Sequence, residues 1–253
     1  MAAFQSTISR YEYKYLVPAS LAEEILRHVR PFVRPDRHSP GDGGYSISSL
    51  YLDSPDLRLL QMGLEGWSER FKLRARCYGD GPDDPVFLEV KRRRVGIVQK
   101  QRTRIERSQA VALLDGGTSS RARLAADPGL GSFGALCETH DARPVLRVRY
   151  RRCAFEALSG APLRITFDSR IEFADGRDGR VSLHEGTWRK LPLGGIVFEV
   201  KFNDRYPAWV RDLVMTFQLD RRSISKYSLA MSRALSEGRQ WVRHVPGIPG
   251  VRA

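Results

Sequence analysis

The sequence predicts an α+β fold, mainly an antiparallel eight-stranded β-barrel with flanking helices, as one domain over residues 1–253. Three observations lead there. Strand-like runs follow one another with few strand–helix alternations, which disfavours a parallel α/β sheet. The helical runs at Leu21–Arg30 and Trp209–Leu219 carry apolar stripes that need an apolar sheet surface to cover. Charged residues recur at every second position inside the strand-like runs, the spacing that puts them on one face.

Each element follows from local chemistry. "ISRYEYKYLVP" alternates and is rich in Tyr, so it is a strand closed by Pro18. "SLAEEILRHVR" has an amphipathic period, with Ser20 as its candidate N-cap and Pro31 as its stop. After the loop "RPDRHSPGDGG" come a strand, "YSISSLYLDSP", and a short helix, "DLRLLQMGLEG". "RFKLRARCYGD" and "PVFLEVKRRR" form a hairpin across the Gly/Pro/Asp cluster at 79–85, and "GIVQKQRTRIE" pairs on after a turn near Gly96. Residues 107–142 are Ala- and Leu-rich with Gly and Pro breaks, which suggests short helices in a connection. Strands resume with "PVLRVRYRRCAFEA", "PLRITFDSRIEFAD" and "GGIVFEVKFND". The chain then returns to helix in "YPAWVRDLVMTFQL" and "SISKYSLAMSRAL". The core should span about 8–233, leaving 234–253 as a loose tail.

The 42 Lys and Arg against 29 Asp and Glu give a net charge of +13, which points to an anionic partner. Cys77, Cys137 and Cys153 are far apart and form no CxxC, so neither a disulfide framework nor a zinc site is expected. The opening residues lack a basic segment followed by an apolar core, and no apolar run approaches the roughly 20 residues that cross a bilayer. The chain therefore reads as soluble and cytoplasmic.

The charge pattern carries the functional information. Lys72, Arg74 and Arg76 share one strand face, as do Lys100, Arg102 and Arg104, and Arg147, Arg149 and Arg151. "FLEVK" and "FEVK" each deliver Glu-x-Lys on one face, as Glu89 with Lys91 and Glu199 with Lys201. One reading is a set of solvated sheet faces with surface ion pairs. The other turns the charged face inward. Like charges inside a barrel repel strongly unless a polyanion sits among them, and carboxylates there would balance charge or hold a hard cation.

The pieces "RYEYKYLVP", "YSISSLYLDSPDL", "KLRARCYG", "FLEVKRR", "QKQRTR", "PVLRVRYRRCAFE", "LRITFD", "FEVKFND" and "SISKYSL" occur in an order that resembles the VTC domain. That domain is the polyphosphate polymerase module of the vacuolar transporter chaperone complex, with stand-alone versions in bacteria, within the CYTH-like triphosphate tunnel metalloenzymes. The resemblance covers roughly residues 8–233. It implies an eight-stranded tunnel barrel that holds a triphosphate or polyphosphate chain with Mn²⁺ or Mg²⁺. The phosphate-binding bases it implies are Lys14, Arg74, Arg76, Lys91, Lys100, Arg152, Arg164, Lys201 and Lys226, with Arg102 and Arg147 as looser matches. Arg74, Arg76, Lys91, Lys201 and Lys226 would serve catalysis. It assigns the metal to Glu199, with Glu12 and Glu89 as accessory groups, and sets Asp168 near the tunnel end. Arg152 is out of phase with Arg147, Arg149 and Arg151, so a regular strand cannot point all four inward. Two departures stand out. Arg10 occupies the first position of the CYTH Glu-x-Glu-x-Lys signature, and Ser223 stands where the eukaryotic motif has a second lysine.

Polyphosphate synthesis from ATP is the activity this resemblance implies first. Tripolyphosphate hydrolysis in the same tunnel is the alternative, and a nonenzymatic polyphosphate- or RNA-binding module the second. ATP, triphosphate or polyphosphate is the expected ligand rather than nucleic acid. A membrane partner subunit would set the protein at the inner face of a membrane. Other chemistries lack their patterns. The five histidines form no HxH or HExxH, no Ser stands in Gly-x-Ser-x-Gly, and "GDGG" at 41–44 lacks the Walker Lys-Ser/Thr.

Overall fold

The computed structural model describes residues 8–39, 43–95, 97–115, 122–124, 126–203 and 207–238, with side chains from Tyr11 onward. Among these residues there are ten strands: β1 (Ile8–Val17), β2 (Val33–Pro35), β3 (Tyr45–Asp53), β4 (Glu69–Cys77), β5 (Val86–Arg94), β6 (Ile97–Ile105), β7 (Arg143–Ala157), β8 (Arg164–Asp175), β9 (Arg189–Lys190) and β10 (Ile196–Phe202). The helices are α1 (Ala19–Val29), α2 (Arg58–Leu64), α3 (Arg107–Leu114), α4 (Ser132–Thr139), α5 (Ala208–Thr216) and α6 (Lys226–Ser236). Pairing runs β7–β3–β4–β5–β6–β1–β10–β8, and β8 pairs back to β7 from Leu146↔Asp175 to Glu156↔Arg164. Eight antiparallel strands thus close on themselves. Short β2 and β9 are added on β7 and β8. These two short strands were not anticipated, being too brief to carry a period.

Alternation in each strand sorts the side chains. On the outer face, Leu73, Ala75, Cys77, Leu88 and Val90 pack with Ala110 and Leu114 of α3 and Phe133 and Cys137 of α4. On the opposite wall, Tyr15, Val17, Phe198, Val200 and Ile165 pack with Ile25 and Val29 of α1 and Val210 and Leu213 of α5. Burying these faces supplies the main stabilisation, at roughly 25 cal/mol per Å² of apolar surface.

A third cluster lies on the inner face. Ile47, Tyr51, Val148, Tyr150, Ile171, Phe173 and Val197 pack with Tyr227, Ala230, Met231 and Ala234 of α6, with Leu60 of α2 and with Leu57 just before it. Helix α6 therefore fills an apolar end of the interior. It runs to Ser236 with Ala234 and Leu235 buried, so the core extends past the expected start of a tail at 234. Residues 239–253 lie outside the described residues. The other end effects are small. Ser20 is inside the first turn of α1, whose N-cap is Pro18. No described helix is long and apolar enough to cross a membrane.

Asp53 fixes α2 and α6 together. It is fully buried and accepts from the Leu59 and Leu60 backbone N–H groups at 2.9 Å, from Ser54 N–H at 2.8 Å, and from the Tyr227 hydroxyl at 2.6 Å. It thereby caps a helix whose own N-cap, Leu57, has a left-handed backbone (φ 55°) and no capping side chain. Burial pushes the Asp53 carboxyl up to about 6, against the pull of these hydrogen bonds. Asp53→Ala strands four buried donors, each costing about 1–3 kcal/mol when unpaired. We expect a loss of at least about 3 kcal/mol in chemical denaturation; a loss below about 1 kcal/mol would mean that α6 is held by packing alone.

Candidate functional site

The inward positions of the ring that α6 leaves open enclose a cavity of about 970 Å³. Every ring strand contributes to it: Glu12 and Lys14 from β1, Tyr45 and Tyr51 from β3, Lys72, Arg74 and Arg76 from β4, Lys91 from β5, Lys100 and Arg102 from β6, Tyr150 and Arg152 from β7, Arg164 from β8, and Glu199 and Lys201 from β10. Residues 221–226, leading into α6, border it. Among the described residues, six lysines and ten arginines line this space, against Glu12, Glu199 and Asp84. The charged faces of β1, β4, β5, β6 and β10 turn inward.

Carboxylates gather these bases into clusters. Glu89, with no exposed surface, receives Arg74 through Nε at 2.7 Å and Nη2 at 2.6 Å, Arg102 Nε at 2.7 Å and Lys100 Nζ at 2.6 Å, with Arg76 Nε at 4.0 Å. Burial alone would raise its pKa, but Arg74, Lys100, Arg76 and Arg102 outweigh that and hold it well below the usual carboxylate range. Asp168 accepts both Arg152 Nε (2.6 Å) and Nη2 (2.7 Å), and Lys226 Nζ at 2.6 Å. The same contest of burial against Arg152 and Lys226 leaves its pKa below the ordinary value. Lys226 also stands 4.6 Å from the centre of the Tyr150 ring.

Glu199 differs from these two. Its nearest cations are Lys201 at 3.4 Å, Arg152 at 3.8 Å and Lys14 at 3.9 Å, longer than every close contact of Glu89. Despite burial, the positive field of Lys201, Lys14, Lys91 and Arg152 holds it well below the usual range and therefore ionised. Glu12, bound to Lys91 at 2.6 Å, sits diagonally across the β1–β10 ladder, where Glu12 faces Lys201 and Lys14 faces Glu199. The two carboxylates are close enough for each to work against the other's ionisation. An ionised carboxylate without tight protein partners, next to a second one, fits a hard divalent cation that completes its shell with phosphate oxygens and water. No cluster of three or more His, Cys, Asp or Glu occurs among the described residues, so the protein would supply only these two ligands. Glu89 does not fit, since both its oxygens are occupied by bases.

The sequence profile of the VTC domain matches residues 9–235. The chain belongs to the VTC-domain family. Subunit 4 of the vacuolar transporter chaperone complex of Trypanosoma cruzi is 24% identical over 230 aligned positions, which cover 76% of this chain and 28% of that protein. The chain thus spans little more than a quarter of that relative. Among solved structures, a candidate adenylate cyclase from Bacillus halodurans aligns at a TM-score of 0.48 and 12% identity, covering 87% of this chain and 95% of that one. The PH1819 protein of Pyrococcus horikoshii aligns at 0.45 and 13%, covering 88% and 99%.

In this VTC domain Lys14, Arg74, Arg76, Lys91, Lys100, Arg102, Arg152, Arg164, Lys201, Lys226, Glu12 and Glu199 all face the cavity. Glu89 and Asp168 lie behind the lining, holding its bases. Arg147 does not face the cavity. It is buried on the outer side of β7, where it donates to the Asp175 carbonyl (2.9 Å) and Asp178 (3.2 Å) under Trp188. Gly186 crosses so close that a Cβ there would lie 2.8 Å from Arg147 Nη2. Arg149, on Glu172 at 2.7 Å, shares that face. The expected inward row at 147, 149 and 151 is therefore an outer row, and Tyr150 and Arg152 form the inner one. The irregularity falls on β8: Arg149 faces Glu172 but Arg151 faces Ser169, with Arg170 in the left-handed region at φ 50°. Sequence reasoning passed over Tyr51, Tyr45 and Tyr150. They hold guanidinium groups, as in Arg76 to Tyr150 at 3.1 Å and Arg164 to Tyr45 at 3.0 Å. Their signal was parity, since Tyr150 stands two before Arg152.

Replacing Glu89 with Gln leaves Arg74, Arg102 and Lys100 packed together without their counter-charge. Breaking a buried ion cluster this way costs about 3–5 kcal/mol, and we expect that fall in unfolding free energy by urea titration. A change under about 1 kcal/mol would show that the cluster's repulsion is relieved elsewhere.

Proposed function

We propose that this VTC domain is a metal-dependent phosphotransferase that moves phosphoryl groups from ATP to a polyphosphate chain held in the basic cavity. The observation that carries this is a closed ring whose every strand points a polar side chain into one space, with bases far outnumbering acids and Glu12 and Glu199 among them. Phosphoryl transfer asks for in-line positioning and charge neutralisation more than for covalent chemistry by the protein. Arg74, Arg76, Lys91, Lys201 and Lys226 would act on the transferred group, while Lys14, Lys100, Arg102, Arg152 and Arg164 hold the chain. Arg147, facing outward, has no part. Glu199 with Glu12 would hold Mn²⁺ or Mg²⁺, which supplies charge neutralisation at the phosphate oxygens. Likeness to a subunit of a chaperone complex favours a partner subunit, with this domain working at the cytoplasmic face of a membrane.

Tripolyphosphate hydrolysis is the second reading, favoured by Ser223. It lines the cavity where the eukaryotic motif carries a lysine, so one charge fewer steadies an incoming chain end.

The test is incubation with ATP and Mn²⁺, with and without a short polyphosphate primer, followed by gel and phosphorus NMR. Long polymer, absent with Lys91→Ala or after chelation of the metal, supports synthesis. Orthophosphate from tripolyphosphate without polymer moves the protein to hydrolysis, and tight binding without turnover makes it a binding module. Glu199→Gln should lower turnover about 100-fold, the scale of losing one preorganised electrostatic contact, while tripolyphosphate binding changes little. Undiminished turnover would sink the metal assignment.

A pH dependence follows from Lys201, whose pKa burial lowers to about 8 against the pull of Glu199 and Glu12. Its ammonium is present below that value and lost as pH rises through it. Tripolyphosphate affinity, measured by calorimetry, should therefore fall between about pH 7 and 9, and Lys201→Arg should flatten that fall. An identical slope in wild type and variant would assign the titration to another group.

A further inference from the structure

Five of the six lysines lining the cavity have a carboxylate within ion-pair distance: Lys14 and Lys201 on Glu199, Lys91 on Glu12, Lys100 on Glu89 and Lys226 on Asp168. Lys72 has none among the described residues. Its ammonium donates to the Ser225 hydroxyl, which in turn accepts the Ser228 backbone N–H at the start of α6. The charged groups that dominate its field are all cationic: Lys14 from β1, Lys91 from β5, and Arg70 and Arg74 from β4 itself. Burial and these neighbours together hold the Lys72 pKa well below that of an ordinary lysine. Its stem runs past Gly63 of α2, where an added Cβ would stand 3.9 Å from Lys72 Cε. A flexible cation is thus kept at the meeting point of β4, α2 and α6, in a place where it only adds to repulsion.

Resting on the phosphate-binding reading above, we propose that Lys72, with the Ser225 hydroxyl, binds a phosphate group of the polyanion where the cavity meets α6. Each of the other lysines has its charge partly spent on a protein carboxylate. Lys72 has no protein carboxylate to share, and a phosphate beside it would favour its ammonium form. A phosphate there accepts from the ammonium and from the Ser225 hydroxyl, and it relieves the repulsion from Lys14, Lys91, Arg70 and Arg74. The arrangement separates two properties that a structural lysine would join: Lys72 should weaken the free protein and strengthen the complex.

The experiment compares wild type with Lys72→Met, which keeps the stem and removes the charge. Tripolyphosphate affinity by calorimetry and the melting temperature of the free protein are measured on both. We expect affinity to fall at least about tenfold, the scale of one charge-assisted hydrogen bond, while the free variant melts at or above wild type. Lys72→Arg, which retains the charge, should bind more tightly than Lys72→Met. Unchanged affinity in Lys72→Met overturns the proposal. So does a variant that melts lower or does not fold, because Lys72 is then a strut for α6. If wild type itself fails to bind tripolyphosphate, the functional reading falls and this inference with it; wild-type binding equalled by Lys72→Met removes the inference alone.

Discussion

Concentrating positive charge inside a closed sheet is the constraint on which this molecule depends. Bases at 4 Å separation repel by several kcal/mol even at an effective dielectric near 20, so a ring of inward lysines and arginines could not stay folded unaided. Glu89 and Asp168 answer it. Each is a carboxylate without exposed surface, set behind the lining rather than on it, and each gathers bases from separate elements. Glu89 ties β4 to β6 across β5, and Asp168 ties β7 to the start of α6. Of the acids that face the open space, Glu12 takes a single close base, Lys91, and Glu199 has none nearer than 3.4 Å. Structural and available negative charge are thereby separated by depth.

That separation was only half legible in the sequence. Period-two charge in β4, β5, β6 and β10 gave the correct inward face because these strands run without interruption. The helical stripes of α1 and α5 required an apolar outer sheet face. β7 defeated the same logic. Its Arg147, Arg149 and Arg151 look like the row on β4, yet they lie outside, Arg147 and Arg149 held by Asp178, Glu172 and Trp188 and Arg151 by the Gly43 carbonyl. Nothing local distinguishes an arginine that meets a ligand from one that meets a distant loop. Only the phase conflict with Arg152 signalled that one set had to face away. The roles of Glu89 and Glu199 were likewise inseparable by motif, since both sit in Glu-x-Lys. What separates them is the distance to neighbouring guanidinium and ammonium groups, a property of the closed ring.

Helix α6 links the apolar and the charged parts of the interior. Tyr227, Met231 and Ala234 complete the inner core, while Lys226 and Ser225, at its N-terminal end, reach the cavity. Because Tyr227 is bonded to Asp53 and stacked on Tyr51 at 4.7 Å, the position of Lys226 is set by core packing, not by its ion pair alone. The N-terminal end of a helix carries partial positive charge, so this element adds to the field of the bases around it.

The ring also fixes an order of assembly. β1 pairs with β10 over seven residues, Tyr11↔Phe202 to Val17↔Ile196, joining strands nearly two hundred positions apart. During synthesis the first strand must therefore wait, with one edge unpaired, until almost the whole barrel has left the ribosome. Loop closure over such a span is slow, and an open sheet of this kind presents both a bare edge and a face of unneutralised bases. Mutual repulsion on that face would keep partly made chains from collapsing or pairing with one another. The charge that makes the finished interior hard to build would then also protect the chain while it is incomplete.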